Sequence, residues 1–202
     1  MNKQEIARLA REAMGQRLSH RSRPAGYIFQ HGLRVARLSA QLADCVDPQR
    51  QIDRDTLWAG ALLHDVGKGI DPHHEIGGVV AGQLLADLAR ADQIEIISRI
   101  IAEHNQRYRA QHCLPASRIV QDADMLDHHG HQGVCLILGE VPSRFDTLAH
   151  AAESQLSPDG AEHFQICRSL LNFDVAREAF DRRIEAQKSF FQGLAASEEG
   201  QL

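Results

Sequence analysis

A histidine–aspartate pair stands at the end of a short apolar run in the first third of the chain. Three apolar residues precede His64 and Asp65, and Gly67 follows two positions later. A charged acid beside a buried run is costly unless it is paired or bound to a metal ion. Neighbouring residues on a helix point about 100° apart, so both side chains can face one inward point only near a helix end. Gly67 supplies such an end, because glycine tolerates the left-handed conformation after a last turn. The pair therefore fits two metal ligands, or alternatively a metal-free His–Asp hydrogen bond.

Further candidate ligands fall on the buried faces of other predicted helices. His31 lies on the apolar stripe of a helix expected over 25–46. His104 extends the isoleucine stripe of a later helix by one turn, and Asp124 follows a buried valine by one turn. Each of these residues alone is explained by an ordinary core contact. Their occurrence together on buried stripes favours a metal site.

Two adjacent histidines open the helix that follows the His–Asp pair. Helical spacing allows either His73 or His74 to point inward, with a preference for His73, which shares a face with Gly77. Three cations are near the candidate ligands in sequence, namely Lys68, Arg34 and Arg107. Each can balance the charge of an anionic substrate or can be an ordinary surface residue.

Composition limits the class of protein and its partners. The chain has 202 residues, of which 43% are hydrophobic and only 5% aromatic, and this predicts a helical globular domain. The formal net charge of −5 gives no bulk attraction to nucleic acid or to an anionic membrane. The sequence contains no signal-peptide core and no apolar run near the ~20 residues of a membrane span. The four cysteines form no C-x-x-C pair, so we expect reduced thiols and a cytoplasmic location.

Apolar periodicity predicts helices along the whole chain and assigns some polar residues to the surface. We expect Asp122 and Asp127 to be exposed, and His128, His129 and His131 to form an exposed turn. Helices are also expected to end near His64, to follow Asp92 and to start at Pro115, and a turn is expected over 157–160. The remaining predicted helices cover 3–18, 25–46, 73–88, 144–154, 160–171 and 174–193.

Three short segments carry a resemblance to a known family. They are His31-Gly-Leu-Arg34-Val35, Leu62-Leu-His-Asp-Val-Gly-Lys68 and Val120-Gln-Asp-Ala-Asp124-Met-Leu. Their order, H…HD…D, resembles that of the HD-domain superfamily of metal-dependent phosphohydrolases, and the likeness covers about 25–130. The chain lacks the G-Y-P element of the branch that hydrolyses cyclic di-GMP. It is also similar to bacterial hydrolases of dinucleoside tetraphosphates, although that likeness is too short to fix a substrate.

The resemblance implies an all-α, HD-domain-like helical bundle with a metal site between its core helices. We expect a single HD-type domain over 1–202, with an HD core at about 25–130 and C-terminal helices over 140–195. By resemblance, one ion would be held by His31, His64, Asp65 and Asp124. A second ion would be held by His73 or His74 and by His104, with Asp65 bridging the two. The ligand set suits Fe, Mn, Zn, Co or Ni, as one or two ions per chain.

The expected activity is hydrolysis of a phosphate ester or phosphoanhydride of a nucleotide-like small molecule by metal-activated water. Asp65, Lys68 and Arg34 are the candidate catalytic residues, the two cations balancing phosphate charge. We expect no nucleic-acid duplex and no membrane as partner. Two alternatives stay open. The same ligand order resembles di-iron HD-type oxygenases, and a non-catalytic nucleotide- or metal-binding regulatory module is the other.

Overall fold

The computed structural model describes residues 1–17, 23–145 and 147–201, and all regular structure in these segments is helical. The all-α prediction is therefore confirmed. A short 3-10 helix spans Arg107–His112 between the fifth and sixth α-helices. The α-helices are α1 (Lys3–Met14), α2 (Tyr27–Val46), α3 (Arg54–Leu63), α4 (His73–Leu85), α5 (Ala91–Glu103), α6 (Pro115–Asp127), α7 (His131–Arg144), α8 (Leu148–Leu156), α9 (Pro158–Ser169) and α10 (Asp174–Glu198).

The chain divides into two compact units, Met1–Asp124 and Met125–Leu202. In the first unit α3 packs against both α2 and α5, and α4 packs against α5. Leu62, Val35 and Ile100 are among the fully buried side chains of this unit. The packing places α3 between α2, which carries His31, and α5, which ends at the candidate ligand His104. The single domain over 1–202 stays a prediction of the sequence.

A glycine sets the distance between α2 and α3. A Cβ atom built on Gly32 would lie 2.3 Å from the backbone carbonyl oxygen of Leu62, a separation that real structures do not contain. Gly32 directly follows His31 in the chain, and Leu62 precedes His64 by two residues. The same close approach therefore brings the two candidate histidines together.

We expect Gly32→Ala to destabilise the protein by about 1–3 kcal/mol, since the added methyl group must push two backbones apart. Gly82→Ala is the matched control, because its Cβ would meet Ile94 at an ordinary 3.5 Å inside α4. There alanine should be neutral or stabilising by up to about 1 kcal/mol. Urea unfolding of both variants measures the difference. Equal free energies of unfolding for the two variants would contradict the tight α2–α3 contact.

The second unit has its own apolar core. Val134, Ala152 and Phe191 are buried together, and partly buried side chains at 137, 138, 194 and 195 pack against them. The long helix α10 contacts α7, α8 and α9. Gln187 of α10 links two other segments of this unit by hydrogen bonds. Its side-chain oxygen accepts from the backbone N–H of Gly130 at 2.9 Å, and its side-chain amide donates to the side-chain oxygen of Gln155 at 3.0 Å.

Several local predictions were wrong. Asp122 and Asp127 are buried, and so is His129, whereas His128 and His131 are exposed as expected. Periodicity assigned one buried face to α6, but every residue over 119–127 is buried. The expected turn over 157–160 is the start of α9, where the Ser157 hydroxyl accepts from the N–H of Gly160. The helix α7 is an element that the sequence did not indicate, and residue 18 of the first predicted helix lies outside the described residues.

Within the described segments, no helix is both long enough and apolar enough to cross a membrane.

Candidate metal centre

Two buried histidines from neighbouring helices meet ring to ring. The Nε2 atom of His31 on α2 lies 3.1 Å from the Nε2 atom of His64 at the end of α3. The same His31 nitrogen lies 3.1 Å from Oδ1 of Asp124 on α6, and His64 Nε2 lies 3.8 Å from that oxygen. All three side chains are almost fully buried. Two ring nitrogens and a carboxylate oxygen thus converge on one small volume.

The two carboxylate oxygens of Asp65 face different histidines. Its Oδ2 lies 3.9 Å from Nε2 of His64. Its Oδ1 lies 3.7 Å from Nε2 of His104 and 3.7 Å from Nε2 of His73. One atom from each of His31, His64 and Asp65 lies within 4.8 Å of the others, and the same holds for Asp65, His73 and His104. Asp65 therefore belongs to two clusters. Of the two adjacent histidines, His73 is the one that reaches it.

Helix ends orient two of these rings in the same way. His64 is the C-cap of α3 and His104 is the C-cap of α5. The Nδ1 of His64 lies 2.8 Å from the carbonyl oxygen of Ala61, and that of His104 lies 2.6 Å from the carbonyl oxygen of Ile101. A carbonyl only accepts, so Nδ1 carries the proton and Nε2 keeps its lone pair. The lone pairs therefore face the carboxylates.

Gly67 has a different role from the one that the sequence suggested. It does not adopt the left-handed conformation, which occurs instead at Gly69. A Cβ on Gly67 would lie 2.2 Å from the carbonyl oxygen of His73 and 2.8 Å from the backbone nitrogen of Gly77. The residue is required because the turn after Asp65 passes directly against the start of α4. This approach brings His73 to Asp65.

Burial and charge set the protonation states of the clusters. Burial lowers the pKa of His104 to about 3 and also lowers the pKa values of His64 and His73. Burial alone would raise the pKa of Asp65, but neighbouring positive charge, including that of the Lys68 ammonium group, lowers it to about 2. At neutral pH these histidines are neutral and Asp65 is ionised. Those are the forms that bind metal ions.

The three cationic residues expected near the site each make a different contact. Lys68 lies beside Asp65, with Nζ 3.2 Å from Oδ2, and remains 42% exposed. Arg107, from the 3-10 helix, donates to Oδ2 of Asp124. Arg34 lies with its guanidinium carbon 5.8 Å from the ring centre of Tyr27, which stacks on His31.

Two residues make polar contacts at the site that the sequence did not predict. The side-chain amide of Asn105 lies 3.0 Å from Nε2 of His73. The guanidinium group of Arg17 donates to the carbonyl oxygens of Val66 and Lys68, and so holds the turn after Asp65. Arg17 comes from the segment after α1, far away in sequence, and nothing in its spacing links it to the pair.

Comparisons with known proteins identify the family to which the chain belongs. A family model described as HD domain matches residues 28–128. The ribonuclease Y proteins of Pseudothermotoga lettingae and Fervidobacterium nodosum are 32% identical over 101 residues and 30% identical over 113 residues. The alignments cover 49% and 54% of this chain but 18% and 20% of those proteins. The chain therefore spans about a fifth of the length of these relatives.

Solved structures share the fold. Bacillus subtilis YpgQ in complex with ADP aligns with a TM-score of 0.67 at 20% identity, covering 95% of this chain and 97% of that one. An HD-superfamily hydrolase from Bacillus thuringiensis aligns with a TM-score of 0.67 at 20% identity and covers 100% of both chains. The family match spans half of the chain and includes all six candidate ligands. The chain belongs to the HD-domain superfamily.

Proposed function

We propose that the protein is a metal-dependent phosphohydrolase that acts on a nucleotide-like small molecule. The observation that carries the proposal is the position of Asp65, whose two carboxylate oxygens face two separate groups of buried histidines. A carboxylate shared in this way is suited to two neighbouring divalent ions. A helical bundle without a metal site does not require a carboxylate in this position.

The distances and donor types fit such ions. Two ligand atoms that each lie about 2.1 Å from one ion are about 3.0–3.5 Å apart at right-angled or tetrahedral geometry. The His31, His64 and Asp124 donor atoms, 3.1–3.8 Å apart, are close to this spacing. Mixed imidazole and carboxylate ligands suit Mn, Fe, Co, Ni and Zn rather than Mg or Ca. A metal-free core would instead bring together buried imidazole lone pairs without a shared cation.

The ligands divide between the two clusters. His31, His64, Asp65 and Asp124 would hold one ion, while Asp65, His73 and His104 would hold the other. Bound there, the metal supplies Lewis acidity towards phosphate oxygens and lowers the pKa of water to near neutrality.

Other side chains of the chain position these ligands and receive the substrate. Arg107 orients Asp124 through a charge-assisted hydrogen bond. Lys68 contacts Asp65 yet is partly exposed, so its ammonium group is available to an incoming phosphate. Arg34 remains a proposed second phosphate cation, placed next to the Tyr27–His31 stack.

The class of substrate is proposed from the comparisons. The Bacillus subtilis structure was solved in complex with ADP, which favours a nucleotide. The sequence relatives are named ribonucleases, so an RNA phosphodiester belongs in the same test. Partly exposed cations beside the ligands are compatible with both, but the formal net charge of −5 favours a small molecule over a polyanion.

The decisive experiment is a metal-dependent activity screen on the full chain without affinity-tag nickel. The protein is stripped with a chelator, supplied with Mn²⁺, and incubated anaerobically with nucleoside di- and triphosphates and with a single-stranded RNA. We expect phosphate or pyrophosphate release from a nucleotide that requires the metal and does not require oxygen. Oxygen uptake with an organic substrate would instead support the oxygenase alternative. Nucleotide binding without turnover under any metal would support the regulatory module.

Lys68→Met should raise the KM for the phosphorylated substrate about tenfold, because removing one well-placed charge contact costs on the order of 1.4 kcal/mol of binding. Bound metal should change little, since Lys68 supplies no ligand. Lys3→Met is the matched control, because Lys3 is similarly exposed (45%) and pairs with Asp55 at 2.9 Å. Steady-state kinetics and metal analysis of both variants check this. The role of Lys68 is refuted when both variants keep the parental KM.

A further inference from the structure

The second unit contains a cluster of potential metal ligands that the proposed function does not use. One ring nitrogen each from His129 and His163 and the Sγ atom of Cys167 all lie within 4.8 Å of one another. All three residues belong to the unit that begins at Met125. Their ligand atoms are sulfur and nitrogen, whereas those of the candidate metal centre are nitrogen and oxygen. That centre, called the HD site below, consists of His31, His64, Asp65, His73, His104 and Asp124.

Helical spacing brings two of the three together. His163 and Cys167 are four residues apart on α9, so they share one face of the helix. The Sγ of Cys167 lies 3.5 Å from Nε2 of His163. Cys167 is buried and His163 is exposed. The pair therefore lies at the boundary between core and solvent, where an ion can enter.

The third member, His129, is held in a fixed orientation. It lies in the turn before α7, and its ring packs against Phe180 and Phe164 with ring centres 4.7 Å and 6.2 Å away. Its Nδ1 lies 2.8 Å from the carbonyl oxygen of Met125, so Nδ1 must be the donor and Nε2 keeps the lone pair. This is the backbone contact that typically orients a metal-ligating histidine. Burial lowers the pKa of His129 to about 4, so the ring is neutral at physiological pH.

We propose that His129, His163 and Cys167 form a second metal site that binds a thiophilic divalent cation of the Zn²⁺ type. Neighbouring ligands of a tetrahedral Zn²⁺ ion are about 3.3–3.8 Å apart. The Cys167–His163 pair already has this spacing, and the exposed His163 ring can rotate to close the remaining distance. Thiolate and imidazole ligands select Zn²⁺ or Co²⁺ over Mg²⁺, Ca²⁺ and Mn²⁺. Binding requires the Cys167 thiol to lose its proton to solvent, one proton for each ion bound.

Three protein ligands leave one coordination position for water or for a further donor. The aromatic rings of Phe164 and Phe180 close the inner side of the cluster, and the exposed His163 leaves the outer side accessible. The alternative is a simple thiol–imidazole hydrogen bond between Cys167 and His163 with no affinity for metal. Only a sulfur-specific signal separates the two cases, because the HD site also binds divalent ions under the proposed function.

The test is to strip the full chain with a chelator and titrate it with Co²⁺. The measured signal is the near-ultraviolet charge-transfer absorption band of a Co²⁺–thiolate bond. We expect this band in the parent protein, saturating at about one ion per chain. The band should be lost in Cys167→Ser, and the exposed-surface variant His163→Ala should weaken Co²⁺ binding at least about tenfold. Cys135→Ser, which alters an exposed cysteine, is the matched control and should keep the band.

Asp65→Asn separates this inference from the proposed function, because it removes an HD ligand and should leave the thiolate band unchanged. Absence of the band in the parent protein at excess Co²⁺ would overturn the proposal. The same conclusion follows if the band survives in Cys167→Ser, or if Cys135→Ser removes it.

Discussion

Asp65→Asn is expected to lower kcat/KM for phosphate release by at least about a hundredfold, since even outer-shell partners of a metal are worth about 10–100-fold. The substitution keeps the size of the side chain but removes its charge. Both carboxylate oxygens face histidine nitrogens 3.7–3.9 Å away, so one change weakens both clusters. Metal content should therefore fall at both sites together.

Plasma mass spectrometry and phosphate-release kinetics on the same preparation measure the two effects. Asp87→Asn is the control, because Asp87 is an exposed carboxylate in the turn after α4. It should keep parental metal content and activity. An Asp65→Asn protein that retains its metal and its turnover would remove the basis of the proposed function.

The buried positions of five candidate ligands could be predicted from sequence because each one depends on a local rule. His31, His104 and Asp124 fall on apolar stripes, and a side chain on such a stripe must point inward. His64 and Asp65 required only a helix end, and α3 ends at Leu63. Their order along the chain then matched a family pattern. Local periodicity and motif order were sufficient for these positions.

The residues that were predicted wrongly depend on contacts between distant segments. His129 is buried because Phe164 and Phe180 pack on its ring, and both come from helices more than 30 residues later. Asp127 is buried near Arg183, whose charge it stabilises against the cost of burial. Periodicity within one helix contains no information about such partners. The same limit explains why Arg17 had no sequence signal.

Position 67 requires glycine, as the sequence predicted, but the physical reason expected for it was wrong. Glycine was expected there for its left-handed conformation, but the structure requires it for the absence of a side chain against His73 and Gly77. Both reasons predict glycine, so sequence alone cannot separate them. The difference matters for the site, because close contact with α4 is what places His73 beside Asp65.

His104→Ala separates one bound ion from two. Among the residues that the structure describes, His104 groups with Asp65 and His73, and the other cluster keeps His31, His64 and Asp124. In protein stripped with a chelator and reloaded with Mn²⁺, which the thiolate ligand of the His129–His163–Cys167 cluster disfavours, we therefore expect bound Mn²⁺ to fall from about two ions per chain to about one. Activity should fall at least about a hundredfold, because a two-metal centre shares the transition-state charge between its ions.

The matched control is His112→Ala, which removes an exposed histidine in the 3-10 helix eight residues later. It should retain both ions and full activity. Far-ultraviolet circular dichroism of His104→Ala checks that the helices persist when the buried ring is removed. If the parent protein holds about one ion and His104→Ala holds the same, the dinuclear proposal is wrong. The function then rests on the His31, His64, Asp65 and Asp124 cluster alone, and a mononuclear hydrolase should survive this substitution with most of its activity.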